Sequence, residues 1–265
     1  VHIEHLASMS PAKLARRKTM AAKQEIKTHK TTARIVGAVY LAGFVVGIGG
    51  DRIIQSILGA PNYLSTVSAY STTLAIGALL WLMAVVGDAA HGVLMFPILK
   101  QHNQRIAVGY LAARIVDAMF IAIMVLFILL QIPLGNEYLK AAAPDTFYLQ
   151  ALGTLFTQAQ LYAYEIGMST LGISGVMLCY TLYTARLVPR WLAVWGLVGY
   201  AIIFCGMVSE ILGSGLGLAS SIPGGLWEVF MGVWLIVKGF DSPAIASESA
   251  KIVTSASDNM SLSEA

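Results

Sequence analysis

Six long apolar runs, separated by short polar breaks, make up most of the chain. They extend from about Ile35 to Leu58, Thr72 to Leu99, Ile106 to Gln131, Phe147 to Ala185, Trp191 to Leu212 and Leu226 to Val237. A helix needs about 20 apolar residues to cross a bilayer core about 30 Å thick. The pattern predicts an all-α polytopic membrane protein, with six transmembrane helices in a bundle. Pro61-Asn62 and the polar run Lys100-Gln101-His102-Asn103-Gln104-Arg105 read as turns. Pro133 and Gly135 are expected to end the third helix, leaving Asn136 to Asp145 as a polar loop. The fourth run is too long for one straight span. It is expected to project from the membrane, or to lie along its surface over Phe147 to Gln160. Gly213 to Gly225 reads as an uncharged flexible loop, and the short sixth run would gain length by starting near Ile222. Gly43 and Gly47 in the first run are four apart, a spacing that admits a close neighbouring helix.

Composition strengthens this picture. Of the 265 residues 57% are hydrophobic and 12% charged, against about 25% charged in a soluble domain. Such a chain cannot cover a globule with polar groups, so its main partner is the lipid bilayer. The basic residues then set the orientation. Lys13, Arg16, Arg17, Lys18, Lys23, Lys27, Lys30 and Arg34 precede the first span. Lys100, Arg105, Arg186, Arg190, Lys238 and Lys251 fall in the segments that share its side. These are fourteen of the 17 basic residues. The positive-inside rule then predicts cytoplasmic N- and C-termini in a bacterial cytoplasmic membrane. Residues 1–32 read as a basic cytoplasmic segment, surface-lying helix or disordered, and not as a nucleic-acid surface. Residues 33–240 form the six-helix domain, and the Ser-rich 241–265 read as a disordered cytoplasmic tail. Trp191, Trp195, Trp227 and Trp234 suit interfacial anchoring. Cys179 and Cys205 fall inside spans and form no ligand pattern.

Charged residues inside the apolar runs carry the candidate chemistry. Asp88 lies 12 residues before Lys100 and Asp117 lies 12 after Arg105, so each sits about 18 Å from the inner boundary. His91 and Arg114 are each nine residues from the same two anchors. Both pairs, Asp88–His91 and Arg114–Asp117, are spaced i, i+3 and therefore share a helical face. Glu228, ten residues before Lys238, falls at about 15 Å and joins this layer. A second, outer polar layer contains Asp51, Arg52, Glu165 and Glu210, at about 26–31 Å by the same rise.

The mid-membrane layer does not neutralise itself. Asp88, Asp117 and Glu228 bring three negative charges against the one positive charge of Arg114. A lone charge in hydrocarbon costs about 3 kcal/mol or more. Balance needs a charged His91, protons on the carboxylates, or a bound cation. The bland alternative is a polar knot that only fixes helix register. His91, Asp88, Asp117 and Glu228 also have the ligand chemistry of a zinc or iron site, but one histidine without H-x-x-x-H or H-E-x-x-H is a weak signal. The sequence leaves any cofactor unknown. The reading that follows is a membrane protein with a mid-membrane ionisable site for a proton, a cation or a lipid-like ligand. Transport or proton coupling comes first. A membrane-embedded enzyme acting on a lipid or isoprenoid, and a non-catalytic partner or sensor subunit, are the alternatives.

Several stretches resemble a known family. They are Ala33-Arg34-Ile35-Val36-Gly37, Arg114-Ile115-Val116-Asp117-Ala118, Leu187-Val188-Pro189-Arg190-Trp191-Leu192, Pro223-Gly224-Gly225-Leu226-Trp227-Glu228 and Trp234-Leu235-Ile236-Val237-Lys238-Gly239. Over about residues 33–240 they are similar to the bacterial integral-membrane family called domain of unknown function 4386. The resemblance implies a polytopic membrane protein and brings no activity. It draws attention to Arg114 and Glu228, which lie within the matching stretches; His91 lies in none of them.

Overall fold

The computed structural model describes residues 11–215 and 217–241, with side chains described for 29–142, 145–215 and 219–241. The expectation of disorder over 241–265 lies, apart from Asp241, outside the described residues. The described chain is helical, without a strand: α1 Pro11–Leu58, α2 Tyr63–Ala69, α3 Ser71–His102, α4 Gln104–Lys140, α5 Ala143–Thr184, α6 Arg190–Ile211 and α7 Ile222–Val237, with a 3-10 turn at Gly217–Ser221. Six of these helices are long and apolar enough to cross a membrane.

The spans pack in chain order. α1 lies against α3, α3 against α4, α4 against α5, α5 against α6 and α6 against α7, and α7 returns to α1. The result is a closed ring of six spans. Short connections enforce this order, since consecutive helices joined by a few residues must run antiparallel side by side. The α3–α4 turn is tighter than the six-residue polar run implies. Asn103 alone separates the helices, and its side chain caps α4 by accepting from the N–H groups of Arg105 and Ile106 at 3.0 and 3.1 Å. At the α5–α6 turn Arg186 takes φ +54°, and the Leu187 N–H reaches back to the Leu182 carbonyl at 3.1 Å. That closes the end of α5 in the manner of a Schellman motif.

Several expectations change. Pro133 and Gly135 do not end the third span: α4 runs through both to Lys140. Proline removes one N–H and crowds one carbonyl. Unwinding the backbone in apolar surroundings would strand many more polar groups. Gly135 serves a close contact instead. A Cβ there would lie 2.7 Å from the Leu64 carbonyl oxygen of α2. The short helix α2 was not visible as a separate element in the hydropathy pattern. Its Leu64 and Val67 are buried, and Ser68 donates to Asn136 Oδ1 at 2.7 Å. The long fourth run is one helix of 42 residues, about 63 Å. It packs along the 37-residue α4, so the pair extends past a bilayer core together. Gln131 Nε2 donates to Thr157 Oγ1 at 3.3 Å, and Gln150 Nε2 to the Tyr138 hydroxyl at 3.0 Å, across that pair.

The basic segment from Pro11 onward continues into the first span as one helix of 48 residues, without a break at residue 32. α7 does begin at Ile222, which also shortens the glycine-rich loop. Gly43 and Gly47 are not the points of close approach: a Cβ at either meets nothing within 4 Å. Gly37 and Gly50 take that role. A Cβ on Gly37 would lie 2.5 Å from the Gly232 carbonyl oxygen of α7, and one on Gly50 would lie 2.9 Å from the Gly77 carbonyl oxygen of α3. Trp227 is not an interfacial anchor. It is fully buried and donates Nε1–H to the Leu192 carbonyl at 2.6 Å. Trp191 and Trp195 instead pack on Phe230, with ring centroids 5.6 and 5.7 Å away.

Two apolar cores fill the ring. One includes Ala33, Val36, Met95, Leu99, Ala107 and Leu235, near the end of the bundle that holds the α3–α4 turn, and the other gathers Ile54, Leu74, Ala78, Ile121 and Ile128 toward the opposite end. On α3 the residues between Ala78 and Met95 include Asp88 and His91. On α4 those between Tyr110 and Ile121 include Arg114 and Asp117. The charged residues of α3 and α4 thus fall between stretches that supply the two cores, while the first core also continues past Glu228 through Tyr200, Ile203 and Met207.

Candidate site in the ring interior

Asp88, Arg114 and Asp117 are assembled where α3 crosses α4. Gly92 makes the crossing close: a Cβ there would lie 3.0 Å from the Arg114 Cβ. Arg114 Nη2 donates to Asp88 Oδ1 at 2.5 Å, and Nη1 to Asp117 Oδ2 at 3.4 Å. One guanidinium thus holds two carboxylates, with the contact to Asp88 much the shorter. A planar fork of donors is what such a double contact requires. Arg114 Nε is buried and has no partner among the described residues.

The three differ in access. Side-chain exposure is 5% for Arg114 and 2% for Asp117, but 33% for Asp88. Asp88 shares a helical face with Gly77, Ala84, His91 and Met95, all buried. The exposed stripe of α3, Ile76, Leu79, Met83, Val86 and Val93, lies on the other side. Asp88 therefore lies on the protein-facing side of α3, away from that stripe. Glu228 repeats this arrangement on α7. It is half-buried and shares a face with the buried Gly224, Met231 and Leu235.

Glu228 is held by a group that the depth count of charges overlooked. The Tyr200 hydroxyl of α6 donates to Glu228 Oε1 at 2.5 Å. His91 also has an unexpected partner, with its Nδ1 and the Tyr110 hydroxyl 2.6 Å apart in a hydrogen bond. The rings are continuous around them. Tyr40 lies 4.3 Å from His91 and 6.4 Å from Trp227 by centroids, and Tyr200 lies 5.4 Å from Trp227. Asp88, Arg114, Asp117 and Glu228 all interact electrostatically. The mid-membrane residues named from sequence thus form one neighbourhood, held as three hydrogen-bonded units. A signal for Tyr200 did exist: it is ten residues after Arg190, as Glu228 is ten before Lys238.

The metal-ligand reading of His91, Asp88, Asp117 and Glu228 does not gain a geometry. Among the described residues no three His, Cys, Asp or Glu side chains come together in a metal-binding group. Arg114 draws two of the carboxylates toward itself, and His91 turns toward Tyr110. The outer residues are less unified than the mid-membrane set. Glu165 is buried and within electrostatic reach of Glu210. Asp51 accepts from Gln55 Nε2 at 3.5 Å, and Arg52 is exposed. Tyr164, packed edge-on against Trp81 at 6.3 Å, interacts with both Asp51 and Asp117 and so lies between the two layers. Cys179 is buried and Cys205 exposed, both as free thiols.

A closed ring of six apolar helices around an ionisable interior defines a polytopic α-helical membrane protein. Its family is specific: the family model described as "Domain of unknown function (DUF4386)" matches residues 35–239, and the chain belongs to that family. Searches of curated proteins and of solved structures gave no match.

Proposed function

We propose that this protein binds a cation at the Asp88–Arg114–Asp117–Glu228 site and couples that binding to transport across the membrane. The observation that carries the reading is the uneven holding of the carboxylates. Arg114 is shared between two of them, Glu228 adds a third, and Asp88 keeps one-third of its side chain exposed. A net negative, partly open site at mid-depth favours a bound positive charge, because each ion–carboxylate attraction is stronger where the dielectric is low and an unbalanced charge in hydrocarbon is costly. Arg114 acts as the fixed counter-charge that keeps the empty site tolerable. Alternating occupation by a cation would change how Arg114 divides itself between Asp88 and Asp117. The orientation belonging to this reading has both termini in the cytoplasm of a bacterial cell, on the strength of the basic-residue distribution.

The test is ion flux in proteoliposomes under an imposed pH gradient, comparing wild type, Asp117→Asn and empty vesicles. Wild type is expected to dissipate the gradient, and Asp117→Asn to slow dissipation at least tenfold. Wild-type flux equal to that of empty vesicles overturns the transport reading.

A further inference from the structure

Glu228 differs from the other two site carboxylates. Arg114 contacts Asp88 and Asp117 directly, whereas Glu228 is held by a neutral hydroxyl. We propose that the cation taken up by this site is a proton, that Glu228 carries it, and that Tyr200 is the positioning residue that orients the Glu228 carboxyl group and sets how tightly it holds the proton. This rests on the cation-binding reading above and narrows it to one ion and one group.

The argument is one of ligand supply. Hard metal cations such as calcium or magnesium require about six oxygen ligands around one point. Glu228 has one such neighbour in place, the Tyr200 hydroxyl at 2.5 Å. The oxygens of Asp88 and Asp117 are directed to Arg114. Beside Glu228 the Tyr200 and Trp227 rings pack edge to face at 5.4 Å. A metal ion entering this corner would lose its water shell, and among the described residues no group of three His, Cys, Asp or Glu side chains is there to replace it. A proton needs only one lone pair.

The groups that face Glu228 come from every neighbouring element. α1 contributes Tyr40, α3 Asp88 and α4 Tyr110, Arg114 and Asp117. α5 contributes Tyr164 and Cys179, and α6 Tyr200. Arg114 is the only fixed cation of this set, and Asp88 and Asp117 already share it. Proton uptake forms one O–H bond on Glu228 and breaks one in a hydronium ion, which leaves as water; nothing is oxidised. Tyr200 follows the change. Its hydroxyl donates to the carboxylate and, after the proton arrives, can rotate to accept from the carboxylic acid, because a phenol does both. The same contact therefore serves both states of Glu228.

The experiment is pH-difference infrared spectroscopy on the full-length protein in lipid nanodiscs, read at the carbonyl band of protonated carboxyl groups. The expected result is a band that grows as pH falls, disappears in Glu228→Gln, and is indifferent to exchange of potassium for sodium or to added calcium. In Tyr200→Phe the band shifts in frequency and the proton is held about tenfold more tightly, since the carboxylate has lost a hydrogen bond to its charged form. Tyr200→Phe keeps the buried ring, so it decides the question even where Glu228→Gln fails to fold. A band retained in Glu228→Gln, a Tyr200→Phe spectrum identical to wild type, or proton binding that weakens as sodium or calcium rises would each overturn the proposal. The outcome is separable from the flux test. A Glu228 band without flux removes transport and keeps the proton site, while flux without a Glu228 band removes only this inference.

Discussion

Arg114 is the residue on which the interior depends, because it is the one positive charge among three carboxylates. Replacing it by methionine strands Asp88 and Asp117 in the bundle. Breaking a buried ion pair by removing one partner costs about 3–5 kcal/mol, so Arg114→Met should unfold well below wild type in a detergent thermal melt. Arg114→Lys should recover only part of the loss, since an ammonium is a point charge without the fork that spans two carboxylates. The opposite substitution makes a sharper test. Asp117 is nearly fully buried and is the more weakly held partner, at 3.4 Å against 2.5 Å for Asp88. Asp117→Asn removes one surplus negative charge and leaves Asp88 paired one-to-one with Arg114. Its melt should therefore lie at or above that of wild type, even though its flux falls. A drop in stability as large as that of Arg114→Met would mean that the site is a balanced structural knot, and the charge-imbalance argument would fail with it.

Helix contacts show where reading the sequence succeeds and where it stops. The spans and the nearness of Asp88, Arg114 and Asp117 to one another follow from counting residues, because helical rise is fixed and the two helices share one short turn. Which glycine meets which helix does not follow. Gly43 and Gly47 have the spacing of a contact motif yet face open space, whereas Gly37 and Gly232 lie against each other's backbone. Spacing along one helix cannot tell which face a neighbour will cover. Pro133 misled for a related reason, since its local cost is paid once while the membrane penalises every unwound residue. Tyr200 and Tyr110 escaped because they are neutral and read as ordinary packing residues. The contrast in glycines predicts a clear pattern. Gly37→Val and Gly232→Val should each lower stability by about 1–3 kcal/mol through overpacking. Gly43→Ala should be neutral or raise it by up to about 1 kcal/mol through better helix propensity. Equal effects at Gly37 and Gly43 in a denaturant titration would mean that α1 packs by another face.

At the scale of the whole molecule, ring closure and orientation are linked. α7 packs back on α1, and an even number of crossings puts both ends of the bundle on one membrane side whichever way it is inserted. The basic residues then choose the side. Fourteen of 17 lie at the N-terminal end, the α3–α4 turn, the α5–α6 turn and the C-terminal end, all expected in the cytoplasm. Single cysteines placed in a variant lacking Cys179 and Cys205 would read this directly. Cysteine at Asn62 or Ala142 should react with an impermeant maleimide in intact bacterial cells. Cysteine at Asn103 or Arg190, both exposed, should react only after the membrane is permeabilised. A wholly reversed pattern would keep the ring and invert its orientation, so the proposed coupling direction would reverse with it. Reaction of Asn62 and Asn103 from the same side would be the more damaging result. It would mean that α3 does not cross the bilayer, and Asp88 would then lie near water, where its charge needs neither Arg114 nor a bound cation to offset it.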